Sequence, residues 1–214
     1  MRLKKVKGAD EVIVKGTYFV LDPYQYKGKW KEYFKNNNPI YVEIGMGKGD
    51  FIIENALRYK NINFIGIEKY DSVIVRAIQK SNELELNNLK IVRIDANKLN
   101  DIFDNEIDTI YLNFSDPWPK DRHAKRRLTS SIFLDIYDKI FSNDNRIIMK
   151  TDNIDLFNYS LDTLVDYGYS VVYKTNDLNC LDKDNVMTEY ENKFYNRGVK
   201  INKLEAIRQK RDKC

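Results

Sequence analysis

The sequence predicts an α/β fold with a mostly parallel central sheet covered by helices on both faces. Three observations carry this expectation. Short apolar runs alternate with longer helix-like segments, several runs are apolar on both faces, and residues that start helices stand at the junctions. Strands buried on both sides and separated by helices are what a covered parallel sheet requires.

Strands are expected at 40–44, 64–67, 89–94, 109–114, 146–150 and 169–173, with helices at 50–59, 71–86, 130–141 and 153–167. Asp50, Asp71 and Asn153 stand where a side chain can accept hydrogen bonds from unpaired first-turn N–H groups. A short helix is expected at 188–197, stopped by Gly198, and the alternation of Val199-Lys200-Ile201 reads as a last strand closing the sheet. The length of 214 residues suits one large domain. It divides into an extension at 1–35, rich in aromatics such as Tyr18, Tyr26, Trp30 and Phe34, and the domain proper at 36–214.

Composition removes several classes of function. Hydrophobic residues make up 43% and charged residues 32%, as in a folded, well-solvated protein. No run approaches the roughly 20 apolar residues that span a bilayer, and no apolar segment follows the basic residues of 1–8, so neither a membrane span nor a secretory signal is expected. Cys180 and Cys214 cannot build a disulfide framework or a Cys-rich metal site, which points to a reducing cytoplasm. His123 is the single histidine, so Ser-His and Cys-His nucleophile pairs and His-rich metal sites are excluded. No metal is expected, and the chemistry must come from a cofactor.

The clearest motif is Tyr41-Val42-Glu43-Ile44-Gly45-Met46-Gly47-Lys48-Gly49-Asp50, a strand, a glycine-rich turn and a helix start. Gly45 and Gly47 let the backbone turn tightly and approach a ligand, and a helix N-terminus favours an anion such as a carboxylate. The next strands end near Glu68, Asp95 and Asp116, and ligands of open α/β sheets bind outside the carboxyl ends of strands. Glu43, Gly45, Gly47, Glu68, Asp95 and Asp116 are therefore the candidate cofactor site, with Glu68 placed to take ribose hydroxyls. The spacing is G-x-G-x-G rather than G-x-G-x-x-G, and G-K-[ST] is missing. Acids at the turn repel a pyrophosphate. An ammonium and a carboxylate, as at the methionine end of S-adenosylmethionine, suit them better. Taken singly, each acid is also compatible with a helix cap.

After the fourth strand comes Asn113-Phe114-Ser115-Asp116-Pro117-Trp118-Pro119-Lys120, a loop stiffened by two prolines where an acceptor should sit. Between Trp118 and Arg127 five cationic side chains face one carboxylate, a local +4 that equals the net charge of the whole chain. Such a patch suits a polyanion docked at one place, although the run also reads as a solvated helix face.

These blocks resemble the tRNA (guanine-N7-)-methyltransferases, a bacterial-type branch of the Rossmann-like class I methyltransferases. The resemblance rests on Glu43-Ile44-Gly45-x-Gly47, Asn113 through Lys120, Arg122-His123-x-Lys125-Arg126-Arg127-Leu128, Lys150-Thr151-Asp152-Asn153 and Thr188-Glu189-Tyr190-Glu191. It implies an antiparallel last strand and S-adenosylmethionine contacts from Glu43, Glu68, Asp95 and Asp116, with Asp116 also catalytic. It further implies substrate contacts from Lys120, Asp152, Thr188, Glu189, Tyr190 and Glu191. Arg122, His123, Lys125, Arg126 and Arg127 would bind RNA. The implied substrate is a guanine in the variable loop of tRNA, handled by a monomer or homodimer. Without the resemblance, Asn153 and Thr188 read as helix caps, and Trp118 as either a stacking platform or an ordinary rim aromatic.

Three other readings compete. Ser115-Asp116-Pro117-Trp118 is similar to the Asn/Asp-Pro-Pro-aromatic loop of enzymes that methylate exocyclic amines. A non-catalytic RNA-binding module would keep a nucleoside pocket without turnover. A dehydrogenase shares the general fold but wants other glycine spacing and an acid-base histidine.

Overall fold

The computed structural model describes residues 9–178 and 185–209. Residues 1–8, Cys180 and Cys214 lie outside these, and so do the expectations drawn from them. The strands are β1 (Ile40–Ile44), β2 (Asn63–Glu68), β3 (Leu89–Arg93), β4 (Ile107–Asn113), β5 (Phe141–Thr151), β6 (Ser170–Thr175) and β7 (Asn202–Arg208). They form one sheet in the order β3-β2-β1-β4-β5-β7-β6. The first five pair in parallel, and β7 lies antiparallel between β5 and β6.

All six residues of β2 are buried, as a strand covered on both faces must be. One cover consists of α2 (Trp30–Phe34), α5 (Leu99–Ile102), α6 (Ser131–Ile140) and α7 (Ile154–Asp166), which pack on Ile40, Val42, Ile44, Ile65 and Ile67. The other consists of α1 (Ala9–Val14), α3 (Asp50–Arg58) and α4 (Asp71–Ser81), packed around Phe64, Leu89 and Ile91. A further helix, α8 (Glu189–Tyr195), precedes β7. Among the described residues no helix is long and apolar enough to cross a membrane.

The segment before β1 packs against this sheet. Ile91 N–H donates to Tyr18 O at 2.8 Å and Val20 N–H to Ile91 O at 2.9 Å, so the chain covers the outer edge of β3. Trp30 is fully buried, and its indole N–H donates to Ile102 O at 2.7 Å. The Glu106 carboxylate accepts the N–H groups of Gly28 and Trp30, both at 2.8 Å, and fixes the entry to α2.

Several sequence expectations shift. Asp50 and Asp71 do not cap their helices, because each already lies inside the first turn and pairs with a cation instead, Asp50 with Lys80 and Asp71 with Arg93. Asn153 does cap α7, accepting Leu156 N–H at 2.7 Å. The helix expected to reach 86 ends at Ser81, whose buried hydroxyl donates to Ile78 O while Tyr18 Oη takes Leu86 N–H. The last strand begins at Asn202 rather than at 199. Gly198 and Val199 are occupied in closing α8, donating to Tyr195 O and Phe194 O.

Truncating Trp30→Ala should cost about 3–5 kcal/mol, through the cavity and the lost bond to Ile102. Urea unfolding measures it, and a loss below about 1 kcal/mol would show the pre-β1 segment to be dispensable to the core.

Candidate active site at the carboxyl ends of the strands

The strand order reverses between β1 and β4, and a crevice opens at such a switch point. The turn after β1 forms one lip. Gly45 and Gly47 have φ of 78° and 56°, values an L side chain rarely adopts, and a Cβ on either would meet nothing within 4 Å. Gly45 and Met46 N–H groups donate to Ile67 O at 2.8 and 3.0 Å, and Gly47 N–H donates to the Glu68 carboxylate at 3.2 Å. The turn is thus tied to the end of β2 and leaves its glycine faces open.

Beneath the turn lies Glu43, 2% exposed. One carboxylate oxygen accepts Asn113 Nδ2 at 2.9 Å, whereas Glu43 Oε2 and Asn113 Oδ1 are buried without a partner. Burial pushes the Glu43 carboxyl up to about 7, against the lowering effects of Asn113 and Lys150; Glu68 and Asp50 add to the rise. Two orphaned acceptors in one place call for a donor or a cation. The residues present fit the ammonium-bearing end of S-adenosylmethionine and do not fit a pyrophosphate.

Glu68 and Asp95 continue the rim. Besides Gly47, the Glu68 carboxylate accepts Lys69 N–H at 2.7 Å and Tyr70 N–H at 3.1 Å. A carboxylate offers about four acceptor positions, so one is left for a hydroxyl. Asp95 accepts Asn97 N–H at 3.0 Å and lies 3.9 Å from Lys69 Nζ, half-exposed at the end of β3.

The loop after β4 forms the opposite lip. Phe114 N–H donates to Lys150 O at 2.8 Å, continuing the β4–β5 ladder by one residue. Phe114 and Trp118 have φ of 50° and 42°, left-handed values that bulky side chains adopt only when the surroundings impose them. Arg127 braces the second of them. Its guanidinium donates to Pro117 O and Trp118 O, both at 3.1 Å, and lies 4.2 Å from the Tyr159 ring centroid. Asp116, between the two strained residues, is exposed.

Arg127 therefore departs from the expected RNA contact. It is 8% exposed and its donors serve the loop. Lys120, Arg122, Lys125 and Arg126 are exposed, and His123 is half-buried. Arg126 lies 4.8 Å over the Trp118 ring, and His123 meets it edge-on at 5.7 Å.

The Thr188–Glu191 block splits. Thr188 and Glu191 form a capping box, each side chain accepting the other's backbone N–H, and both are buried. Glu189 and Tyr190 are exposed; Glu189 pairs with Lys48 of the glycine turn at 2.6 Å, and Tyr190 stacks on Phe114 at 5.9 Å. Asp152 is exposed at the β5–α7 turn, and no bond among the described residues joins it to this cluster. Asn113, Lys150 and Asn185 carry the site's buried polar contacts, although the sequence offered the first two only as motif residues without an assigned role and did not single out the third. A polar residue ending an apolar strand was the available signal for the first two.

A family model described as "Putative methyltransferase" matches residues 37–204. The tRNA (guanine-N(7)-)-methyltransferase of Lachnoclostridium phytofermentans is 52% identical over 98% of this chain and 100% of its own length. That of Bacillus licheniformis is 46% identical over 96% and 98%. The chain belongs to the tRNA (guanine-N(7)-)-methyltransferase family. Among solved structures, the 16S rRNA methyltransferase KamB superposes with a TM-score of 0.66 at 10% identity, covering 85% of this chain and 93% of that one. A SAM-dependent methyltransferase from Aquifex aeolicus superposes with a TM-score of 0.56 at 14% identity, over 95% and 99%. The fold of this tRNA (guanine-N(7)-)-methyltransferase family member is thus the Rossmann-like methyltransferase fold, with antiparallel C-terminal strands.

Glu43 links the site to stability. Its folded-state value of about 7 stands above the ordinary 4.5. Between these values the folded protein keeps a proton that the unfolded chain releases, so stability falls as pH rises through this window and levels off above it. Glu43→Gln removes the titration and should gain on the wild type by about 3 kcal/mol between pH 4.5 and 8. Denaturant unfolding at both pH values reads it, and a gap independent of pH would count against a buried, titrating Glu43.

Proposed function

We infer that this protein transfers a methyl group from S-adenosylmethionine to N7 of a guanine in the variable loop of tRNA, giving 7-methylguanosine. The observation that carries this reading is an exposed carboxylate, Asp116, held by a clamped and strained loop beside a crevice whose floor presents orphaned acceptors. When bound, S-adenosylmethionine supplies an electrophilic methyl group on a sulfonium. Glu43, Gly45, Gly47, Glu68 and Asp95 would hold it, the acids toward its ammonium and hydroxyls and the α3 N-terminus toward its carboxylate.

Guanine N7 carries an in-plane lone pair, so no base has to remove a proton before it reacts. That suits a site whose nearest imidazole, His123, packs against Trp118. Asp116 stabilises the positive charge that develops on the purine and orients the base, an effect that depends on the carboxylate being fixed in advance. N7 lies on the Hoogsteen edge, so the base must leave its stack, and Trp118 and Tyr190 offer aromatic faces to receive it. Lys120, Arg122, Lys125 and Arg126 grip phosphates and set the position of the RNA. The tRNA substrate places the enzyme in the cytoplasm.

The test is transfer of radiolabelled methyl from S-adenosylmethionine to unmodified bulk tRNA, followed by nucleoside digestion and chromatography. Label in 7-methylguanosine supports the reading; label in an amino-methylated nucleoside replaces the acceptor; tRNA binding without label leaves a binding module. Asp116→Ala should lower kcat by about 10²–10³ with unchanged thermal unfolding, and near-normal activity would remove Asp116 from the mechanism. Arg122→Ala or Lys125→Ala should each reduce the slope of log affinity on log salt by about 1, read from tRNA titrations at several salt concentrations. An unchanged slope would show these residues to be a solvated face.

A further inference from the structure

Lys150 follows the apolar run Ile147-Ile148-Met149 one residue before the end of β5, yet its side chain is only 3% exposed. Its ammonium donates to Glu191 Oε2 and Val186 O, both at 2.9 Å, and to Asn185 Oδ1. Asn185 Nδ2 donates in turn to Glu191 Oε1 at 2.7 Å, and Thr188 N–H reaches Glu191 Oε2. The three donors of the ammonium and both oxygens of the carboxylate are therefore taken by protein, and the Glu191 side chain is 3% exposed. Three of the carboxylate's about four acceptor positions are filled, and burial keeps the remaining one from a substrate.

The backbone of Lys150 faces the other way, since its carbonyl accepts Phe114 N–H at the root of the Asp116 loop. Phe114 then stacks on Tyr190 and Phe194 of α8, at 5.9 and 6.5 Å. One residue thus joins the acceptor loop by its main chain to α8 by its side chain. On the far side, Lys48–Glu189 ties α8 to the glycine turn, but that pair is exposed and contributes little. Burying a lone ammonium or carboxylate is costly, so neither member of the inner pair stays in place without the other.

We propose that Lys150, Glu191 and Asn185 form a positioning hub that holds α8, with Tyr190 and Glu189 on its exposed side, over the crevice, and that Glu191 is not a substrate ligand. The proposal rests on the acceptor site lying at the Asp116 loop. None of the three touches the reacting atoms. They set where the loop and α8 stand relative to each other, and a displacement of about 1 Å at such a place is worth about 10²-fold in rate.

The experiment is a double-mutant cycle on the full chain, with methyl transfer to bulk tRNA as the assay and thermal unfolding as the check on folding. Lys150→Met and Glu191→Gln should each lower kcat by about 10²-fold while the KM for tRNA moves less than about threefold. The double variant should be no worse than the poorer single, because the two act as one unit. Asn185→Ala leaves the ion pair in place and folds even if Lys150→Met does not; it should lower kcat roughly tenfold with the KM for tRNA unchanged. Two results would overturn the proposal: losses that multiply in the double variant, or Glu191→Gln raising the KM for tRNA while Asn185→Ala keeps the wild-type kcat. Asp116→Ala in the same assay separates the two levels. If it remains active the acceptor assignment fails, whereas the cycle still reports whether Lys150 and Glu191 act together.

Discussion

The parallel pairing of β1 through β5 directs the carboxyl ends of these five strands, at or near which the candidate residues Glu43, Glu68, Asp95 and Asp116 stand, toward the same edge of the sheet. Parallel strands cannot be joined by tight hairpins, so each connection must cross over through helix-containing chain and return to begin at the opposite edge. The turns at the carboxyl ends consequently share one side of the molecule. Glu43, Glu68, Asp95 and Asp116 lie along one edge for that reason, although 73 positions separate the first from the last. The α8 segment and the antiparallel β7 then return to the same edge and close it.

Charge at this edge is managed by burial as well as by contact. Glu43 sits under the glycine turn, with Asn113 and the field of Lys150 holding down a carboxyl that burial pushes up. Lys150 is lowered by its own burial and held against that by Glu191. The two buried groups are thus linked through the interior, while the surface pairs at Lys48–Glu189 and Lys80–Asp50 stand in solvent and are screened by salt. Arg127 follows the same logic: a cation within a basic run is withdrawn from solvent to hold two loop carbonyls, and the strain at Trp118 is sustained by it.

Much of the fold was legible in the sequence. Runs apolar on both faces located the strands, because a covered strand has no polar face to show, and β1 falls on its expected residues. Element ends were less legible. Asp50 and Asp71 have the chemistry of caps, but a cap is defined by one residue's backbone position, and each stands one place inside its helix. Val199-Lys200-Ile201 alternates as a strand does, yet the chain there is still closing α8, and the ladder with β5 starts only at Asn202.

The candidate site divides in the same way. The sequence by itself determined the glycine turn, the acid at each strand end and the stiff Asp-Pro-Trp-Pro loop, because these depend on residue type and near-neighbour spacing. Only the tertiary structure decided which charges stay exposed at this edge and which are consumed inside. Arg126 and Arg127 are adjacent in sequence, yet one lies exposed over Trp118 while the other is buried beneath the loop. Glu189 and Glu191 are two positions apart on one helix and point to solvent and to Lys150 respectively. The reason is that exposure and pairing are set by which distant surface a side chain meets. Lys150 and Glu191 are 41 residues apart, and no local pattern encodes their encounter.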